Sequence, residues 1–196
     1  RLQRLEPLEL GYLAAALPPE HEVRVLDLRL HRAADLAFLR TLAAFRPDLV
    51  GISGYSHEAS QVKRLAAVAK RRLGATFVVV GGHHATVAAA DYNVEGIDAI
   101  VRGEGCAPFA ALVAARTAGR RPEGIPHLLL TGDDFDDDAC ATWPQFPDPA
   151  TLPRPRRDLW DWRDYYCVWV SEKPSPWEPL YPRTAMVRTS WGCRML

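Results

Sequence analysis

Apolar residues return along this chain in two alternating rhythms. Short runs of aliphatic and β-branched residues are separated by longer stretches in which apolar positions recur every three or four residues. The clearest short run is Phe77–Thr86, read as FVVVGGHHAT. It drives four apolar residues into Gly81-Gly82, which predicts a strand buried on both faces with a sharp exit. Asp48–Ser53 (DLVGIS) and Asp98–Arg102 (DAIVR) predict two more strands, closed by Gly54-Tyr55-Ser56-His57 and Gly103-Glu104-Gly105. His21–Asp27 alternates Val23 and Val25 with polar residues and predicts an edge strand, and Leu128–Leu130 predicts one further strand.

The helical rhythm predicts a first helix on Leu5, Leu8, Tyr12, Leu13, Ala16 and Leu17, stopped by Pro18-Pro19. A second carries Leu36, Leu39, Leu42 and Ala43 and ends before Pro47. A third carries Val62, Leu65, Ala66, Ala69 and Leu73. A short helix is expected over Thr86–Tyr92, and Pro108 opens a last one with Phe109, Leu112 and Val113. Strand and helix alternating in this way predict a doubly wound, flavodoxin-like α/β fold with a parallel sheet. Such a domain opens on a strand, so the first strand and its loop are expected to be missing from this chain.

After about Gly119 the pattern changes. Asp133–Asp138 is acidic and is expected to form a solvated turn. From Pro144 to Pro182 prolines interleave with Trp160, Trp162, Tyr165, Tyr166, Trp169 and Trp177. That is too aromatic for a disordered linker and predicts an ordered strap lying against something. Thr184–Thr189 predicts a strand leading into Ser190-Trp191-Gly192-Cys193. The expected division is an α/β domain over 1–132, a strap over 133–182, and the start of a further domain over 183–196.

Composition narrows the function. With 48% hydrophobic and 24% charged residues and a formal net charge of zero, the chain reads as globular. Nothing in its electrostatics asks for nucleic acid or an anionic membrane. No run of about 18 apolar residues predicts a membrane span. The first residue is Arg and no secretory leader pattern follows, so the true N-terminus is expected to be missing. Cys106, Cys140, Cys167 and Cys193 are too widely spaced for a disulfide framework, and a reducing cytoplasm is expected.

The candidate chemistry gathers at one edge. In open α/β sheets ligands sit outside the carboxyl ends of the strands. Three loops, Ser53–His57, Gly81–Thr86 and Gly103–Cys106, fall there, each with Gly beside a small or polar residue. Together they offer backbone N–H donors and little bulk, which suits a long ligand threaded along the edge. Of His83 and His84, one is expected to hydrogen-bond a ligand or a neighbouring loop and the other to face away, since adjacent loop residues rarely converge on one metal. Asp27 could accept a ribose hydroxyl, but no G-x-G-x-x-G or P-loop accompanies it. Cys193 reads either as a buried thiol or as a thiolate ligand.

The ordered set PLELGYLAAAL, HEVRVLDLRL, PDLVGIS, VVVGGHHAT, IVRGEG, LPRPRRDL and VRTSWGC resembles the N-terminal half of cobalamin-dependent radical S-adenosylmethionine enzymes. Within that family it is most similar to the group of hopanoid methylases and anaerobic magnesium-protoporphyrin cyclases. The resemblance implies a cobalamin-binding domain, a connecting strap and the first strand of a radical barrel. It implies cobalamin contacts at Ser53, Gly54, Tyr55, Gly81, Gly82, His84, Gly103 and Glu104. It further implies that Cys193 is the first cysteine of a C-x-x-x-C-x-x-C set holding a [4Fe-4S] cluster that binds S-adenosylmethionine. Cys106, Trp191 and Arg194 depart from residues common at their positions, and neither His31 nor His57 stands in a lower-axial-ligand motif. The implied activity is methyl transfer to an unactivated carbon of a small molecule, with an electron donor serving the cluster and this stretch alone inactive. A radical cyclisation or rearrangement, a non-catalytic corrinoid-binding module, and a flavodoxin-like domain with another ligand are the competing readings.

Overall fold

A computed structural model of the chain describes residues 3–133, 148–167 and 185–187. Cys193, Cys140, Trp169, Trp177 and most of the acidic stretch lie outside these residues, and the strand expected at Thr184–Thr189 is described only at 185–187. The chain forms two compact units, one of Asp35–Asp148, the other of Arg1–Ala34 with Pro149–Leu196.

The elements in chain order are β1 (Gln3–Arg4), α1 (Leu8–Ala15), α2 (Ala34–Phe45), β2 (Leu49–Ser53), α3 (Ala59–Leu73), β3 (Phe77–Gly81), α4 (His83–Val87), β4 (Ala99–Val101), α5 (Cys106–Thr117), β5 (Leu128–Leu130) and β6 (Tyr166–Cys167). The central unit holds a four-stranded sheet in the order β2-β3-β4-β5. The three predicted strands of DLVGIS, FVVVG and DAIVR run parallel, and the helices between them make it the expected doubly wound α/β fold. The Leu128–Leu130 strand is present but runs antiparallel to β4. Gly119 and Gly124, both with φ of +67°, turn the chain back before it.

β3 is the middle strand its apolar run predicts, with Val78, Val79 and Val80 all buried. Val79, Ala99, Val101, Leu112 and Leu128 form one core cluster, so α5 covers that face of the sheet. Alternation turns Val78 and Val80 to the opposite face. α3 packs on β2 and β3 with Val62, Leu65, Ala66 and Ala69 buried, as its spacing predicts. The face of α2 is different from the one expected. Phe38 and Leu42 are buried, while Leu36 is 46% exposed and Ala43 is exposed.

A polar network closes the amino end of the sheet. Asp98 accepts from the Val78 amide at 2.6 Å and pairs with Lys70 at 2.6 Å, and Lys70 also donates to the Thr76 carbonyl. The Thr76 hydroxyl donates to the Pro47 carbonyl at 2.9 Å.

In the other unit, β1 pairs antiparallel with β6. The buried face of α1 is Leu8, Gly11 and Ala14, not the predicted set of larger residues. The reason is long-range: a Cβ on Gly11 would lie 2.8 Å from the Trp160 ring and 3.2 Å from Pro155. His21–Asp27 is a correction. It keeps its alternation, with Val23 and Val25 more covered than Glu22 and Arg24, but forms no strand with any described residue. A strand requires a neighbour's hydrogen-bond ladder as well as a pattern, and Asp27 instead caps the turn Leu28–Leu30 through the Arg29 amide. Of the strap, Trp160 and Tyr165 are seated in this unit, and Trp162 is 43% exposed.

Candidate functional site

The three predicted loops do meet at the carboxyl edge of the sheet. Parallel register sets Ser53 level with Gly81, so the first and second loops leave the sheet side by side. Gly82 then takes φ +94° and ψ −165°, a conformation that side chains rarely adopt. A Cβ there would also sit 2.6 Å from the Ser53 Oγ and 3.2 Å from the Gly54 carbonyl oxygen. Gly82 is thus required by two local facts, its backbone angle and the close approach of its neighbour loop. Gly54 is similarly crowded, with Val62 2.7 Å from where its Cβ would be. Gly81 is not crowded; its nearest such contacts are 3.7 and 3.8 Å away on Val101.

One threonine staples the second loop to the third. The Thr86 Oγ1 donates to the Gly82 carbonyl at 2.9 Å and accepts from the Gly103 amide at 2.9 Å. Gly103 itself has φ +69°. The Glu104 carboxylate is turned toward its own loop, accepting from the Cys106 amide at 3.2 Å. Cys106 is a buried cysteine at the start of α5.

Above this frame lies a rim of rings. Tyr55 is 63% exposed, and its amide donates to Glu58 at 2.9 Å. Its ring stacks on His57 at 10° with centroids 6.1 Å apart, and tilts toward His83 at 6.2 Å. His83 and His84 divide as expected. His83 is exposed, whereas His84 is 7% exposed, with Nε2 3.2 Å from Asp91 Oδ2. Below the rim, Tyr92 is fully buried with its ring edge-on to His84 at 5.0 Å. Burial first, then the charges of Asp91 and Glu58, push the Tyr92 phenol up to about 12. His84 Nδ1 and the Tyr92 hydroxyl are buried without a hydrogen-bond partner among the described residues. His84, expected among the ligand contacts, is therefore placed under the second loop and not on its surface.

Sequence reasoning missed Thr86, Glu58, Asp91 and Tyr92. Thr86 stood inside a noted motif, but a hydroxyl that bridges two backbone groups has no spacing signature. Asp27 is fully engaged elsewhere, accepting from the Arg29 amide at 2.9 Å and the Tyr165 hydroxyl at 3.2 Å. Burial alone would raise its carboxyl; the hydrogen bonds and charge of Arg29, with the Tyr165 hydroxyl, hold it below the ordinary carboxylate range.

Residues 1–113 match the B12 binding domain family. Among curated proteins the chain is 36% identical over 169 residues to the hopanoid C-3 methylase of Methylococcus capsulatus, covering 83% of this chain and 31% of that protein. It is 38% identical over 124 residues to an uncharacterized methyltransferase of Pyrococcus horikoshii, covering 61% of this chain and 26% of that one. Among solved structures it resembles the radical S-adenosylmethionine methyltransferase TsrM of Kitasatospora setae. One such structure has cobalamin and a [4Fe-4S] cluster bound and gives a TM-score of 0.58. Another has tryptophan and a S-adenosylmethionine analogue bound and gives 0.57; both are 28% identical and cover 65% of this chain and 26% of theirs.

The chain belongs to the B12-binding domain family, and its relatives are those of the cobalamin-dependent radical S-adenosylmethionine enzymes. It spans about a third or less of the curated relatives it matches. The residues at the edge fit the group that this family name implies. Ser53 is an exposed hydroxyl residue at the end of β2, Gly81 brings no side chain to the end of β3, and Gly82 and Gly103 turn the next two loops with little bulk, as the polar tail of a corrinoid would need. No helix among the described residues is long and apolar enough to cross a membrane.

Proposed function

We propose that this chain is the cobalamin-holding part of a radical S-adenosylmethionine enzyme that methylates an unactivated carbon of a small molecule. The observation that carries the reading is the edge itself: three loops held to one another by Gly82, the Gly54 carbonyl and Thr86, with an exposed aromatic rim above them. Such a frame fixes its loops through its own contacts, which lowers the ordering cost of binding.

Ser53, Gly54, Tyr55, Gly81, Gly82, Gly103 and Glu104 would line the cobalamin, and His84 would hold the second loop from beneath through Asp91. When bound, cobalamin supplies a carrier for the methyl group at its cobalt. Tyr55, His57 and His83 stand exposed at the rim, where they would border the bound group. Gly82 and Gly103 set the paths of the second and third loops, along which the polar tail would lie. Cys193 is assigned as one thiolate of a [4Fe-4S] cluster that binds S-adenosylmethionine and draws electrons from a donor protein, in the cytoplasm, where thiols stay reduced.

The test is anaerobic isolation of the longer protein that contains this chain. The visible spectrum should report one corrinoid per chain. Iron analysis should report one four-iron cluster, and reduction should consume S-adenosylmethionine. Corrinoid without iron, and with S-adenosylmethionine left intact, would make the chain a non-catalytic corrinoid-binding module.

A further inference from the structure

The unit formed by the two ends of the chain contains a buried carboxylate that the cobalamin reading leaves unused. Glu6 is 8% exposed. A carboxylate this covered must be paired and hydrogen-bonded, and Glu6 is, by groups far away in sequence. It accepts from Arg157 Nε at 3.2 and 3.3 Å, from Trp160 Nε1 at 3.2 Å, and from the Met186 amide at 2.7 Å. Arg157 in turn donates from Nη2 to the Met186 carbonyl.

Met186 therefore has both of its backbone groups satisfied by one ion pair. In a sheet, a neighbouring strand offers a chain an acceptor and a donor side by side. Here Glu6 supplies the acceptor and Arg157 the donor, from side chains. The pair is braced from behind. The Arg156 amide donates to the Gly11 carbonyl at 3.0 Å, and Gly11 admits the Trp160 ring against α1. The next residue, Val187, is 78% exposed, so the hold is on Met186 itself.

We propose that Glu6 and Arg157 are positioning residues that fix the point from which the cluster-bearing segment departs. Met186 precedes Cys193 by seven residues (193 − 186). A held Met186 gives the stretch that leads to Cys193 a fixed start. This rests on the reading of Cys193 as a cluster ligand, and the test keeps the two apart.

The experiment uses the longer holoprotein with Glu6→Ala and the milder Arg157→Gln. Arg163→Gln is the control, since Arg163 lies in the same strap, is exposed, and pairs with its neighbour Asp161 and not with Glu6. Hydrogen exchange at the peptide covering 185–187 should speed up at least tenfold in Glu6→Ala and stay unchanged in the control. Cobalamin and iron content should hold in both clamp variants. The EPR signal of the reduced cluster with S-adenosylmethionine should broaden, and the KM for S-adenosylmethionine should rise at least fivefold, in both. Unchanged exchange in Glu6→Ala overturns the clamp. Faster exchange with an unchanged EPR signal and KM overturns the positioning role and leaves a merely structural contact. If Glu6→Ala does not fold, Arg157→Gln decides through the same EPR and KM readings. Wild-type protein with cobalamin but no iron defeats the reading of Cys193, and the positioning role with it.

Discussion

The two ends of the parallel sheet are built on opposite terms. At the amino end, side chains satisfy one another: Asp98 takes the Val78 amide and the Lys70 ammonium, and Thr76 and Lys70 bind nearby carbonyls. At the carboxyl end the backbone is held by glycines and a single threonine, rings stand in solvent, and two buried polar atoms have no partner among the described residues. The first arrangement spends its polar groups on folding. The second spends its hydrogen bonds on tying three loops together and leaves the Tyr55, His57 and His83 rings at the surface, which suits a binding edge. The contrast is between an end closed by charged side chains and an end closed by backbone and one threonine hydroxyl, with rings exposed, in the same domain.

The largest break should come from Gly82→Ala. It combines a backbone angle that side chains rarely adopt with a Cβ 2.6 Å from Ser53 Oγ, and a strained position of this kind costs about 1–3 kcal/mol before the clash is counted. Corrinoid uptake should fall by at least tenfold in a spectroscopic titration, with a lower Tm. Retained uptake would show that the close approach of these loops is not needed for binding. Asp98→Ala should produce the mirror image at the amino end. It strands the Val78 amide and a half-covered Lys70, at about 2 kcal/mol. Urea unfolding should show the loss, while corrinoid affinity stays within about twofold of the parent if the two ends are independent.

Thr86→Val should be intermediate, since it removes both staples from one hydroxyl. About 1–2 kcal/mol of stability should be lost, with a larger proportional effect on affinity than Asp98→Ala shows. Equal effects on affinity from both variants would erase the distinction between the ends.

Much of this was readable in advance, for physical reasons that differ by element. β3 and α3 carry strong single-period signals because each buries a continuous run or face against the same sheet. The three loops were readable because strand ends and glycines mark them. The buried face of α1 was not, since it depends on Trp160 and Pro155 meeting Gly11 from the far end of the chain. Nor was the missing strand at His21–Asp27, whose alternation is real but whose ladder partner no local pattern can specify. At the site, Gly82 was read as leaving room for a ligand, whereas the space where its side chain would stand is taken by Ser53 and Gly54. His84 was correctly separated from His83, but its place beneath the loop depends on Asp91, which carries no motif.

The smallest effect should be the most discriminating. Tyr92→Phe removes a hydroxyl that has no partner among the described residues, so stability near neutral pH should change by less than about 0.5 kcal/mol. At high pH the variant should differ. The folded phenol is pushed up to about 12, by burial first, above its ordinary 10. Its neutral form therefore supports folding fully below pH 10, and that support is lost as pH rises from 10 through 12. Tyr92→Phe should flatten this limb of the stability profile. A drop in corrinoid affinity at neutral pH in the same variant would show that the bound ligand uses the hydroxyl.

The most direct test of the open edge is a paired titration of the protein with hydroxocobalamin and with cobinamide, which lacks the nucleotide tail, each followed by its visible spectrum. If the loops carrying Ser53, Gly82 and Gly103 receive that tail, hydroxocobalamin should bind one per chain and at least tenfold more tightly than cobinamide, and Gly82→Ala should remove the difference. Equal affinity for the two corrinoids, or no uptake of either by folded protein, would contradict the account.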